Sequence, residues 1–354
     1  MSGLAAATLL ARAGVGVEVF DRHAGGGGRF QGGWQVIENA TTAGDALSEL
    51  ADYALGDGVE AVPAREAVLL DGYGGAFRVA AATPYAYFIR RGGEASLDAG
   101  LRRLARAAGV TLRDRTPAPA GCEVIASGPR QADGVAREVV FSSDLADTIA
   151  VLFDPRVTPT GYAYLFCLGG HATFGVAQVR RVRGLTAAQR AAWGVFRSAL
   201  GEFAVRDERE GGQFMNFAVP ATLRGEDGRW YVGEAAGVQD FLFGLGNRLA
   251  IRSAALAAEG ILGRWDERRF RAGIVRPMRC GIAMRFVYEL LGRRAFAALA
   301  RRAAGGDFRR LLRALQGPSA VKEALARAVM PLWRERRGCR HAPLCRWCRR
   351  RERR

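Results

Sequence analysis

Between Gly3 and Arg29 the chain places its glycines and an acid at a spacing that few folds accommodate. Gly3-Leu4-Ala5-Ala6-Ala7 opens a small-residue helix, Gly14 ends it, and Val15, Val17, Val19 and Phe20 make a buried strand with Asp21 at its end. This is the order of the second half of a dinucleotide-binding βαβ unit. A helix N-terminus presents free N–H groups to a pyrophosphate, and an acid about 20 residues on holds a ribose hydroxyl. Such a unit has a strand and two further glycines before Gly3. An in-frame strand ending in Gly-x-Gly is therefore expected upstream of Met1, in preference to a degenerate relative that serves as a lipid- or partner-binding protein.

Five residues separate Asp21 from Gly27-Gly28-Arg29, with Arg22 directly after the acid. Either this is a floppy glycine loop, or its bare backbone approaches cofactor phosphates while Arg29 supplies positive charge. Two later segments favour the second reading. Cys122 to Ala126 is a short apolar strand ending in the close turn Ser127-Gly128-Pro129. Further on, the strand Arg229 to Val232 delivers Gly233-Glu234-Ala235-Ala236-Gly237, and Gly244-Leu245-Gly246-Asn247 opens a helix to Leu262. Glu234 suits sugar-chain hydroxyls. A glycine-flanked helix start suits anionic charge on a reduced flavin ring.

Among the remaining elements, Thr41-Thr42 is expected to cap a helix over 44–55, and Ser96 an amphipathic helix from Leu97 to Ala108. Val68 to Val79 and Tyr85 to Arg90 read as antiparallel strands. Arg90, Arg91 and Arg102 either face a phosphate or, as the commoner arrangement and the one expected, lie in solvent. Strands follow at Ala150–Phe153, Tyr162–Cys167, Thr173–Val179 and Phe214–Val219, interrupted by a helix capped by Thr186 and running to Leu200. Alternation puts Tyr162, Tyr164 and Phe166 on one face, either an aromatic core face or an apolar substrate wall. Helices are expected at Phe286–Ala304, Phe308–Leu315 and Ser319–Trp333.

Gly3 to Arg29, Ser96 to Pro129 and Gly233 to Ala254 together resemble FAD-dependent oxidoreductases of the p-hydroxybenzoate hydroxylase fold. More narrowly, Gly27-Gly28-Arg29-Phe30 with Trp34-Gln35 and Glu38-Asn39, Gly161-Tyr162-Ala163-Tyr164-Leu165-Phe166, and Gly233 to Asp240 resemble the geranylgeranyl reductase family. The resemblance implies an α/β protein: a split Rossmann-like FAD-binding domain, an inserted mostly antiparallel β-sheet substrate domain and a C-terminal helical region. The FAD-binding parts would be 1–60, 91–138 and 226–263, the substrate domain 61–90 and 139–225, the helical region 264–335 and an Arg/Cys-rich tail 336–354. The same resemblance implies FAD, an external donor such as NAD(P)H or ferredoxin, and reduction of carbon–carbon double bonds in a prenyl or other apolar substrate. Monooxygenation by the same fold is the alternative. Family members carry Tyr-x-Trp-x-Phe-Pro in the lipid cavity; here Tyr164 stands for Trp and Cys167 for Pro. No redox cysteine pair lies near the N-terminus, as a disulfide reductase needs, and the tryptophan-rich motif of flavin halogenases is absent.

Charge adds little to this. The net +17 invites a nucleic-acid reading, but Lys322 is the only lysine among 52 basic residues and the arginines are spread along the chain, so no specific nucleic-acid partner is expected. Of six cysteines, Cys122, Cys167 and Cys280 are scattered, which points to a reducing, cytoplasmic setting rather than a disulfide framework. No apolar run spans a bilayer, because Arg248 and Arg252 break the best candidate. Membrane contact would be peripheral, with the arginine-rich tail on anionic lipid. In that tail Cys339, His341, Cys345 and Cys348 are a zinc candidate, but only the second spacing fits a knuckle, so a solvated arginine-rich tail with incidental thiols is the expectation.

Overall fold

The computed structural model describes residues 1–179 and 184–333. In chain order the elements are α1 (Ser2–Arg12), β1 (Glu18–Asp21), β2 (Trp34–Glu38), α2 (Ala46–Asp52), β3 (Val62–Ala64), β4 (Glu66–Asp71), β5 (Ala76–Ala80), β6 (Ala86–Arg90), α3 (Leu97–Ala107), β7 (Thr111–Asp114) and β8 (Val124–Ile125). Next come β9 (Gly134–Ser142), β10 (Thr148–Phe153), β11 (Gly161–Leu168), β12 (His171–Val179), α4 (Leu185–Leu200), β13 (Arg206–Met215), β14 (Trp230–Tyr231) and α5 (Asn247–Ile261). A helical region ends the described residues: α6 (Glu267–Phe270), α7 (Arg276–Leu290), α8 (Arg293–Ala304), α9 (Phe308–Gln316) and α10 (Ala320–Val329).

These form the expected α/β architecture. A sheet of order β13-β9-β12-β11-β10-β4-β5 is antiparallel except where β10 meets β4. A second antiparallel sheet is β2-β6-β3, and two parallel pairs, β1–β7 and β8–β14, belong with α1, α3 and α5. Alternation decides which side of the large sheet does what. Ala163, Leu165 and Cys167 of β11 pack with Phe174 under Ala192 and Phe196 of α4. Tyr162, Tyr164 and Phe166 therefore face the other way, and a one-residue slip would exchange the two sets. The helical region is tied to this sheet by Arg285 of α7, which is 1% exposed and donates to the carbonyls of Thr160 and Leu242.

Several expectations need correction. α2 is capped by Asp45, which accepts from Leu47 and Ser48 N–H, because Thr41 donates to Glu38 instead and the Thr42 hydroxyl is buried without a partner. α4 starts after Gly184 in a left-handed turn, and Thr186 accepts from Arg137 rather than capping. The strand expected at Phe214–Val219 is the earlier, charged Arg206–Met215: β13 is an exposed edge strand, so burial does not select apolar residues along it. The long helix expected from Phe286 breaks at Leu291-Gly292 into α7 and α8. The strand after α1 is half-buried rather than buried, with Val15 37% exposed, because β1 has only β7 beside it among the described residues and its inner side chains line an open cavity. No helix of the described residues is long and apolar enough to cross a membrane, and Cys339, His341, Cys345 and Cys348 lie outside them.

Candidate cofactor and substrate site

Three segments far apart in sequence meet around one cavity of about 1330 Å³. The first turn of α1 brings Gly3, the end of β1 brings Asp21 and Arg22, and the following turn brings Gly27 and Arg29. Ser127 and Gly128 follow β8, while Glu234 and Gly244-Leu245-Gly246-Asn247 come from the stretch between β14 and α5. Gly28, also expected here, opens the short 3-10 turn Gly28–Phe30. Asp21 Oδ1 accepts the His23 N–H, which turns the chain away from the strand end.

The donor set suits a dinucleotide. α1 and α5 both begin in the cavity wall with no side-chain cap and no acid in the first turn, so two sets of unpaired N–H groups and two positive dipole ends face one space. Close approach is built in. A Cβ on Gly3 would stand 3.0 Å from Ala126 Cβ, and one on Gly27, at φ +65°, only 2.2 Å from Asp98 Oδ2. Arg29 Nη2 donates to Glu234 Oε2 at 2.6 Å and joins the first segment to the last. Neither residue is deeply buried, so the pair can open toward a ligand.

Arg91 and Arg102 are buried, not solvated as expected. Each has found a carboxylate: Arg102 pairs with Asp114, and Arg91 donates to Asp98 at 2.7 and 3.1 Å in a bidentate pair. Asp98 is held well below the usual carboxylate range; burial pushes it up, but the Arg91 charge and hydrogen bonds outweigh that. Arg91 also donates to Asn247 Oδ1 at 2.7 Å, and Asn247 Nδ2 to the Val36 carbonyl at 2.9 Å, so the start of α5 is pinned to β2 and α3 together. The Phe30 ring lies under Arg29 and Arg91, 4.7 and 4.2 Å from their guanidinium carbons. Glu38 and Asn39 serve the scaffold: Glu38 accepts Ala40 and Thr41 N–H, and Asn39 donates to Asp45 and the Pro84 carbonyl.

At the other end the cavity meets Tyr162, Tyr164 and Phe166. The rings form one wall: Tyr164 stacks on Phe166 with centroids 4.9 Å apart, and Phe88 meets Phe166 edge-on at 4.8 Å. The Tyr162 hydroxyl donates to the Phe243 carbonyl at 2.6 Å, tying the wall to the loop before α5. One polar spot interrupts it, and the sequence reading missed it. Glu138 of β9, 2% exposed, accepts from the Tyr164 hydroxyl, from Gln35 Nε2 at 3.0 Å and from Gln213 Nε2. Burial pushes its carboxyl above the usual range despite those donors. The signal was present: Gly134, Ala136, Glu138 and Val140 alternate as buried positions on one face of β9, and a charge on such a face needs a reason.

No family model matches the chain, and no curated protein matches it. Solved structures do. A geranylgeranyl bacteriochlorophyll reductase-like protein from Thermoplasma acidophilum superposes with a TM-score of 0.67 at 15% identity, over 92% of this chain and 93% of that one. PqsL of Pseudomonas aeruginosa, in complex with 2-aminobenzoylacetate, gives 0.57 at 15% identity over 84% and 96%. The p-nitrophenol 4-monooxygenase of Pseudomonas putida DLL-E4 gives 0.56 at 16% identity over 92% and 95%. At such identities the likeness establishes the fold.

Proposed function

We propose that this chain is an FAD-dependent oxidoreductase that reduces a carbon–carbon double bond of an apolar, prenyl-type molecule. The observation that carries the reading is the single cavity in which three separated segments with phosphate- and sugar-suited residues run into an aromatic wall. Gly3 and the start of α1 would hold a pyrophosphate, Asp21 a ribose hydroxyl, Arg22 and Arg29 negative charge, and Glu234 the sugar-chain hydroxyls. The start of α5 at Gly244 to Asn247 would face the ring. When bound, FAD supplies a two-electron hydride, which an external donor of the nicotinamide or ferredoxin class replenishes. The chain's own task is to orient an apolar molecule against Tyr162, Tyr164 and Phe166 and to keep water from it. Monooxygenation is the second reading, supported by the likeness to the p-nitrophenol enzyme.

Protein expressed with ample flavin and purified is expected to be yellow and to release FAD on denaturation; a colourless product overturns the reading. Glu234→Ala is expected to weaken FAD binding by about tenfold or more, because a hydrogen bond to a charged group is worth about 1.5–3 kcal/mol. Fluorescence-quenching titration of the stripped protein with FAD measures this, and unchanged affinity would remove Glu234 from the site.

A further inference from the structure

Glu138 stands in a row that crosses three strands: Tyr164 of β11 opposite Gly175 of β12, and Gly175 opposite Glu138 of β9. Gly175 is what lets the outer two meet. A Cβ there would lie 2.5 Å from the Tyr164 hydroxyl oxygen, so any side chain would displace the ring that now reaches across to Glu138. Tyr164 and Gln35 both donate to Oε1, and Gln213 to Oε2. A carboxyl group has about four acceptor positions. Three are used, and the fourth, on Oε2, is left for a proton. All four residues line the cavity, and among the described residues no cation forms an ion pair with Glu138.

We propose that Glu138 is the general acid of this site, giving its proton to an apolar acceptor as that acceptor takes up a hydride. The assignment rests on the reading of the cavity as an alkene-reducing flavin site. Saturating a double bond breaks the π bond, adds the cofactor-derived hydride with its electron pair to one carbon, and adds a proton to the neighbour. That proton leaves Glu138 Oε2, the O–H electron pair stays on the carboxylate, and the N–H and O–H groups of Gln35, Gln213 and Tyr164 hold the resulting charge. Water returns the proton after turnover. An apolar wall alone offers no such proton, which is why one buried acid within it is informative.

The surroundings shift the acid toward its neutral form. Burial favours the neutral carboxyl more strongly than the three donors and the field of Arg29 favour the carboxylate. Titratable neighbours are Tyr162 and Tyr164 on β11, and the charged one is Arg29 on the turn before β2. From β2, β12 and β13 the facing residues are Gln35, Gly175 and Gln213, all neutral.

The test uses the flavin-loaded protein, reduced with dithionite without oxygen and mixed with geranylgeranyl diphosphate as the alkene probe. In Glu138→Gln, reoxidation by the probe is expected to slow by about 10²–10⁴-fold, with flavin content and reduction by dithionite unchanged. Infrared spectra of the same proteins should show a protonated-carboxyl band that Glu138→Gln lacks. Tyr164→Phe removes a donor that favours the carboxylate. Loss of that band, and the alkaline limb of the rate, should both move to higher pH. Equal rates in Glu138→Gln, no carboxyl band to lose, or an unmoved limb in Tyr164→Phe each overturn the assignment. A colourless wild type, or a flavin-loaded wild type inert to the alkene, overturns the proposed function and the role of Glu138 with it.

Discussion

Asp98→Ala is expected to lower folding stability by about 3–5 kcal/mol, the cost of leaving a buried charge without its partner. Asp98 and Arg91 are 1% and 6% exposed in their side chains, and the guanidinium makes its bidentate contact with that carboxylate. Without Asp98, Arg91 keeps the Asn247 oxygen and the face of Phe30, neither of which neutralises it. The Gly92 N–H also loses its acceptor. Asp98→Asn keeps the shape and removes the charge, so it should retain most of the loss. Denaturant unfolding of the three proteins measures the effect, and a change below about 1 kcal/mol in Asp98→Ala would show that Arg91 finds another partner or reaches water. Because Arg91 also holds the first residue of α5, the variants that still fold are expected to lose cofactor affinity too.

Glu49→Ala should have an effect of similar size, for a different reason. Glu49 of α2 accepts from two arginines of α5, Arg248 at 2.7 Å and Arg252, whose side chains are 4% and 9% exposed. Removing one carboxylate leaves two cations. Arg248 keeps the carbonyls of Glu38 and Gly44, with the Glu38 carboxylate 3.9 Å away, and Arg252 keeps the Gly273 carbonyl, so a loss of about 3–5 kcal/mol is expected rather than twice that. The pH dependence has a definite sign. Burial pushes the Glu49 carboxyl up, but Arg252 and Arg248 outweigh it and hold it below its ordinary value. Its contribution is therefore complete above the unfolded carboxyl's pKa and disappears as pH falls through the folded one. Stability of the wild type should drop in that acid range more steeply than that of Glu49→Gln. Parallel acid limbs in the two proteins would show that the bridge contributes no net charge stabilisation.

How much of this was readable beforehand depended on whether a residue's role was local. Gly3, Asp21 and Gly27 were legible because a helix start, a strand end and a tight approach of backbone each demand a residue type at a set spacing. The face shared by Tyr162, Tyr164 and Phe166 followed from the period of a strand, and Ser96 as a cap from the N–H groups it must satisfy. Roles that required knowing the partner were misjudged. Arg91 and Arg102 looked like solvated arginines because nothing nearby in sequence marks Asp98 and Asp114 as their carboxylates. β13 was displaced because an edge strand gains its ladder from β9 and can stay charged on both faces.

What the chain determined on its own was therefore the set of points where backbone must turn, start a helix or come close, together with the inward alternation of β11. Tertiary structure decided which points meet. Arg29 and Glu234 are 205 residues apart, Arg91 and Asn247 156, and Glu138 reaches Tyr164 only because Gly175 leaves the space between them empty. Periodicity carries no information about such pairs. Whether a charged side chain sits in water or in a wall depends on a partner delivered by a distant segment, since burial without one costs more than the fold can spare.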